Sequence, residues 1–195
     1  MSLPPPDQLE RICKGMAALD AMLMEEWQDR YYSFSRAWNE SGTQRMAQMR
    51  NGEGDDWFIV FDSNGAFLKA FWHEWAHGDV AAIYAGLPTA LQPHVTEPAF
   101  SMEHVTFGGW YDGATWTLRG DAEPMRVRGE LAMLTGDPEV YRTFAQEYFG
   151  VAVPLEDVAH VLAGKPLDET LVARISTQRT LPELKADLDE IGYGS

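Results

Sequence analysis

The sequence predicts one α+β domain over residues 1–195, with an antiparallel meander sheet of about five to seven strands covered by helices from both ends of the chain. Three observations predict it. Apolar residues recur at helical spacing in residues 1–30, alternate over much of residues 31–134, and return to helical spacing over residues 137–192. Hydrophobic residues make up 45% of the chain, enough for a sizeable core. No repeat or linker divides the chain, so we expect a single domain.

An amphipathic helix is predicted for the N-terminal part of the chain, residues 1–30, continuing to about Arg30. Its buried face is marked by apolar residues three and four positions apart: Leu9, Ile12, Met16, Leu19, Leu23 and Trp27. Asp7 and Glu10 have the spacing of a capping box at its start. Cys13 lies on the same face, which favours a small buried hydrophobe over a reactive thiol, and as the single cysteine it excludes an internal disulfide.

The clearest hairpin is GDDWFIVFDSNGAFLKAFW, residues 54–72. Asn64-Gly65 favours a type I′ turn, in which both central residues have positive φ. That turn fixes the predicted cross-strand pairs: Phe61 with Leu68, Ile59 with Ala70, and Trp57 with Trp72.

Alternation and turn residues predict the other strands of the sheet. YYSFSRAW and TQRMAQMR are joined by the NESG turn, and VTFGGWYDGATWTLRG turns at Asp112-Gly113. VRGELAML, residues 127–134, predicts a further strand. A short helix is expected near residues 79–87, with Asp79 as its N-cap.

The C-terminal part, residues 137–192, predicts a set of short helices. Asp137-Pro138 is a helix start, and Gly164 is a helix end. Thr180 and Glu183 form a capping box for the last helix.

Charge narrows the classes of partner. Thirty acids against 15 bases give a net charge of −15, which opposes binding to nucleic acid or anionic lipid and favours a basic protein surface. The chain shows no signal peptide and no apolar run long enough to span a membrane, so we expect a cytoplasmic protein. The oligomeric state is not predicted.

Residues 73–77, His-Glu-Trp-Ala-His, match the metal-binding helix of the zincin peptidases. On a helix His73 and His77 would face one Zn²⁺, Glu74 would deprotonate its bound water, and Glu97 would be a further ligand. A looser metal site would draw on His73, His77, His94 or His104 together with Glu97 or Glu103. A zinc-dependent hydrolase is therefore an alternative, with Zn as its cofactor.

The context opposes that alternative. AFLKAFW alternates as the second strand of the hairpin, and Gly78 follows His77 at once. On a strand the two histidines would lie about 13 Å apart, too far to chelate one ion. Our main expectation is therefore no metal, no cofactor and no catalytic residue.

Aromatic residues suggest a surface for a partner or a ligand. Trp75 is expected to be exposed just after the hairpin, with PHVTEPAFSMEH as the other wall of a groove. The residues predicted to bind are Trp75, Trp110, Tyr111, Glu97 and His73. A pocket lined by tryptophans would instead suit a small-molecule sensor, which is a further alternative.

GDDWFIVFDSNGAFLKAFWHE, LPTALQPHVTEPAFS and LPELKADLDEIGY, in that order, resemble an uncharacterised group of bacterial hypothetical proteins over most of the chain. The resemblance implies no activity. Bacterial immunity proteins that neutralise toxins are often acidic α+β domains of this kind. The function we expect is that of a non-enzymatic binding protein, such as an immunity-type protein for a basic partner.

Overall fold

The computed structural model of the chain describes residues 3–194, and in this range six antiparallel strands form one sheet. The strands are β1 (Tyr32–Ser35), β2 (Arg45–Arg50), β3 (Asp56–Asp62), β4 (Gly65–Phe71), β5 (Phe107–Tyr111) and β6 (Trp116–Gly120). Each strand pairs with the next one along the chain. This meander confirms the predicted fold class.

Helices precede, interrupt and follow the sheet. They are α1 (Pro6–Leu23), α2 (Val80–Ile83), α3 (Glu123–Val127), α4 (Glu130–Met133), α5 (Pro138–Tyr148), α6 (Leu155–Leu162), α7 (Glu169–Ile175) and α8 (Lys185–Ile191). Short 3-10 helices cover Trp27–Asp29, Thr89–Thr96 and Pro98–Phe100.

Both faces of the sheet are covered, because its central strands carry apolar side chains on both sides. On the first face, Trp57, Ile59 and Leu68 belong to a core shared with α1 and the C-terminal helices. On the second face, Phe58 and Phe67 pack beneath α2 and the 3-10 helices of residues 89–100. The helices from both chain ends therefore share one face, and the middle of the chain covers the other.

The β3–β4 hairpin has a register two residues from the predicted one. Ile59 pairs with Leu68, Phe61 with Ala66, and Trp57 with Ala70. The turn residues are Ser63 and Asn64, and the Asn64 backbone N–H donates to Asp62 Oδ1 over 2.6 Å. Among the described non-glycine residues only Ser101 has positive φ, so the type I′ turn at Asn64-Gly65 is wrong.

Glu123–Val127 and Glu130–Met133 are helices, so the strand predicted at residues 127–134 is wrong and the sheet ends at Gly120. Gly129 has φ 77° between α3 and α4, a conformation that ends one helix and starts the next. Leu131 and Leu134, one turn apart, are both buried, which is the helical and not the strand spacing.

Asp79 and Asp137 each accept a hydrogen bond from the first turn of α2 and α5, as predicted, and Asp168 does the same for α7. Glu183 accepts from the Thr180 N–H over 2.7 Å, but α8 begins at Lys185 with Leu184 as its N-cap, so the prediction that this pair caps the last helix is wrong. The predicted box at Asp7 and Glu10 is wrong, because the N-cap of α1 is Pro5. Glu10 instead accepts two 2.9 Å hydrogen bonds from Arg45, which tie α1 to β2.

Candidate functional site

The His-Glu-Trp-Ala-His segment is not part of a helix. β4 ends at Phe71, and residues 72–79 are irregular, with a turn in which the Trp75 N–H donates to the Trp72 carbonyl over 3.1 Å. The zincin alternative requires both histidines on one helix face, so the structure contradicts it.

The functional groups of the segment have separate partners. His73 Nδ1 lies 2.7 Å from Asp55 Oδ1, which also accepts from the His73 backbone N–H at 2.9 Å. Arg128 pairs with Glu74 at 3.4 Å. The His77 ring instead packs edge-on against Phe71, with ring centroids 5.0 Å apart.

The other predicted metal ligands also serve the local structure. Glu97 is the N-cap of the 3-10 helix Pro98–Phe100 and accepts from the Ala99 N–H. His94 Nε2 lies 3.3 Å from Asp62, and His104 packs edge-on against His77. Across residues 3–194, no three or more His, Cys, Asp or Glu side chains are placed to hold one metal ion.

The residues predicted to bind a partner do not form one surface. Trp110 is 4% exposed in the core of the second face, with the Arg119 guanidinium 5.3 Å from its ring centroid. Trp75 and Tyr111 are partly buried against the core of the first face. Phe100, Met102 and Val105 pack into the core of the second face, whereas Trp75 packs against that of the first.

Asp20 is a buried carboxylate that the sequence analysis missed. It lies on α1 and accepts hydrogen bonds from the backbone N–H groups of Tyr31 (2.9 Å) and Tyr32 (2.7 Å). The Tyr141 hydroxyl donates to it over 2.6 Å. Burial raises the pKa of Asp20 to about 7, although these three donors favour the ionised form. Its position between Met16 and Leu23, on the apolar face of α1, was the available signal.

Glu130, the first residue of α4, is a second buried carboxylate that was not predicted from the sequence. The hydroxyls of Tyr31 and Tyr32 donate to it over 3.2 Å, and Trp57 Nε1 donates over 2.9 Å. Burial raises the pKa of Glu130 to about 7. Asp20 therefore fixes the backbone of the Tyr31-Tyr32 pair, and Glu130 fixes its side chains.

An aromatic cluster at the surface adjoins this buried pair of acids. We call Tyr31, Phe144, Tyr148 and Phe149 the Tyr148 surface. The Tyr148 ring centroid lies 5.0 Å from Tyr31, 5.3 Å from Phe144 and 4.9 Å from Phe149. Tyr148 is 47% exposed, whereas Tyr31 is largely covered. Partial burial, followed by the charges of Asp20, Asp29 and Glu53, raises the pKa of the Tyr148 hydroxyl.

The pairing of charges is uneven across the described chain. Ten of the fifteen Lys and Arg side chains form ion pairs, and these pairs use only eight of the thirty acids. Twenty-two acids, including Asp29 and Glu53, therefore have no Lys or Arg partner within residues 3–194. The negative charge of the protein is thus carried by carboxylates that its own cations leave unneutralised.

One ion pair is enclosed within the second face of the sheet. Lys69 is 0% exposed, and its Nζ lies 2.5 Å from Asp56 Oδ1. The rings of Phe58 and Phe71 flank the ammonium group at 5.5 and 5.4 Å. Burial lowers the pKa of Lys69 and raises that of Asp56. With these partners Lys69 links β3 to β4 and is not open to a substrate.

The larger cavities open away from these groups. A groove of about 800 Å³ is lined by residues 169–182, and one of about 450 Å³ lies between the start of α1 and residues 192–194. A pocket of about 280 Å³ is lined by part of α5 together with Ala152 and Val153, and a cleft of about 140 Å³ has Trp27 and Trp38 in its walls. Asp20, Glu130 and Lys69 line none of the four.

Within residues 3–194, no helix has both the length and the apolar character needed to cross a membrane. Comparison with protein-family models, with curated proteins and with solved structures found no match to the chain.

Proposed function

We propose that this chain is a non-enzymatic binding protein whose partner is a basic protein, in the way that an acidic immunity protein neutralises a basic toxin. The uneven pairing of charges is the observation that carries the proposal. Twenty-two carboxylates lack a cationic partner within residues 3–194, and most of them lie at the surface. A field of this sign attracts a cationic protein surface and repels phosphate backbones.

Burial of Asp20, Glu130 and Lys69, whose pKa values are shifted, supports a role without catalysis. Asp20, Glu130 and Lys69 are each enclosed and each satisfied by protein donors or by a counter-charge. A catalytic acid, base or nucleophile must instead reach a bound substrate. We include a bacterial cytoplasmic setting in the proposal, which suits the single, buried and unpaired Cys13.

Affinity capture followed by binding in solution tests this function. The full chain is immobilised, proteins retained from its native cell extract are identified, and each is purified and titrated by calorimetry. We expect a partner of basic isoelectric point whose affinity falls at least about tenfold between low salt and 1 M salt, where the Debye length is about 3 Å.

Two outcomes would contradict the proposal. One is that no retained protein binds specifically in the titration. The other is that the specific partners are acidic or neutral and bind with an affinity that salt leaves unchanged. A polyanion of equal charge density, immobilised in parallel, controls for capture by charge alone.

A further inference from the structure

We infer that the Tyr148 surface is where the basic partner docks, and that it binds an arginine-bearing segment of that partner. This inference rests on the proposed function and adds the location and the chemistry of the contact. Three features of the surface lead to it: the exposed Tyr148 ring on a cluster of packed aromatic side chains, nearby carboxylates without a Lys or Arg partner in the described chain, and buried hydrogen bonds that hold Tyr31 in place.

The aromatic rings offer faces to a cation. Three large apolar side chains in the described chain are conspicuously exposed: Trp27 (46%), Val127 (62%) and Tyr148 (47%). Trp27 already has the Arg50 guanidinium 5.4 Å from its ring centroid, and Val127 has no ring. Tyr148 alone of the three belongs to a cluster of packed rings. Such a cluster at a protein surface is the usual centre of a binding interface.

Asp29 and Glu53 give the surface its charge. Asp29 ends the 3-10 helix Trp27–Asp29, and Glu53 lies in the loop between β2 and β3. Asp29 lies two residues before Tyr31, and Glu53 lies three residues after Arg50, whose backbone N–H donates to the Tyr31 carbonyl over 3.0 Å. Both carboxylates are exposed and have no Lys or Arg partner within residues 3–194. An incoming cation would therefore meet both a ring face and unneutralised carboxylates.

Arginine fits this combination better than lysine does. Its planar guanidinium stacks on a ring while its N–H groups donate to carboxylates, and it is more weakly hydrated than an ammonium group. Within the chain, lysine ammonium groups lie over phenylalanine rings and arginine guanidinium groups over tryptophan rings. Arg50 lies over Trp27, and Arg119 lies over Trp110.

The surface is held in place before any partner arrives. Tyr31, which contacts both Tyr148 and Phe144, has its backbone N–H bound by Asp20 and its hydroxyl bound by Glu130. Both acids are buried. A surface already in its binding conformation loses less conformational entropy on association.

Titration of a defined peptide tests the inference. The probe is an amidated peptide of alternating Arg and Gly residues, and the same peptide with citrulline in place of Arg is the uncharged control. For the Arg peptide we expect Tyr148→Ala to weaken binding about two- to fivefold. The double variant Asp29→Asn/Glu53→Gln should weaken it about two- to tenfold. Tyr148→Phe should retain most of the affinity, because the ring face remains.

A double variant at another surface provides the matched control. Glu156→Gln/Glu169→Gln removes the same charge from exposed acids on α6 and α7. Equal weakening by the two double variants would overturn the location while leaving a basic partner in place. Failure of the parent protein to bind the Arg peptide more tightly than the citrulline peptide would overturn the arginine chemistry, whatever the capture experiment yields.

Amide chemical shifts locate the contact without any mutation. On adding the Arg peptide we expect the largest changes at residues 29–31, 53 and 144–149. Changes centred instead on the groove lined by residues 169–182 would overturn the inference.

Discussion

Asp20 and Glu130 are the residues at which this protein departs most from a simple apolar core. Each is buried, and each accepts hydrogen bonds from three donors that lie far away in the sequence or across an element boundary. A buried carboxylate without such donors would be strongly destabilising. The two acids thus depend on Tyr31, Tyr32, Tyr141 and Trp57 being in place, and in turn they fix where those side chains lie.

The shifted pKa values of these acids predict how stability varies with pH. Burial raises the pKa of Asp20 from 3.8, and that of Glu130 from 4.5, to about 7. Between about pH 4 and pH 7 the folded state therefore binds more protons than the unfolded state, so their contribution to the free energy of unfolding is lost as pH rises through 7. Asp20→Asn or Glu130→Gln should each reduce the drop in the free energy of unfolding between pH 5 and pH 8 by an amount on the order of 3 kcal/mol.

Urea unfolding of the parent and both variants at pH 5 and pH 8 measures the effect. Glu156→Gln, which removes an exposed carboxylate, should leave the difference between the two pH values as in the parent. A pH dependence that survives unchanged in both Asp20→Asn and Glu130→Gln would show that these acids titrate normally in the folded state.

At the scale of elements, the β3–β4 hairpin shows how far local chemistry specifies a strand pair. The Asp-Ser-Asn-Gly run correctly predicted the position of the turn, but its two central residues are Ser63 and Asn64. Gly65, with φ 139°, is the first residue of β4. A register error of two leaves every side chain on its predicted face, because the side-chain period of a strand is two. Trp57, Ile59 and Phe61 therefore still face α1, although their partners differ from those predicted.

The contact between α1 and α6 depends on Gly15. A Cβ at this position would lie 2.8 Å from Leu162 Cα and 2.9 Å from the Val161 carbonyl oxygen, and backbone atoms cannot move aside locally. Gly15→Ala should therefore destabilise the protein by about 1–3 kcal/mol, although alanine in a helix interior is normally favoured over glycine by about 1 kcal/mol.

Denaturant midpoints provide the measurement for Gly15→Ala. Gln8→Ala, at an exposed position of the same helix, is the matched control and should be neutral or slightly stabilising. An alanine variant at position 15 as stable as the parent would mean that α6 packs less closely on α1 than described.

For the whole molecule, charge is the dominant property. The net charge is −15, and most of the acids have no Lys or Arg partner within residues 3–194. Repulsion between their carboxylates therefore destabilises the folded state. We expect about 1 M NaCl at neutral pH to raise the free energy of unfolding by about 1 kcal/mol, or the melting temperature by roughly 2–4 °C.

Thermal melts at low and high NaCl check this at two pH values. Near pH 4.6, the isoelectric point calculated from the sequence, the stabilisation should vanish, because the net repulsion is gone. A melting temperature that falls with NaCl at neutral pH would indicate that the internal ion pairs outweigh the surface repulsion.

The sequence by itself determined the fold class, most of the strands and the sign of the surface charge. The fold class and the strands follow from apolar periodicity and turn residues, which are local patterns of a few residues. The sign of the surface charge follows from composition, which is a property of the whole chain. The sequence offered a metal site at His73 and His77 as an alternative, because a three-residue pattern carries no information about the conformation around it. It also placed a strand at residues 127–134, where Gly129 at positive φ separates α3 from α4 and the buried Leu131 and Leu134 lie one helical turn apart.

Only the tertiary structure decided which polar side chains meet. Asp20 and Tyr141 are 121 residues apart, and Glu130 and Trp57 are 73 apart. The pairing of such distant groups depends on how α1, α4 and α5 pack against the sheet, which no local pattern encodes. The same packing brings Tyr31 and Tyr148 together at the surface, where we propose that the partner binds, whereas the sequence had placed the predicted binding surface around Trp75.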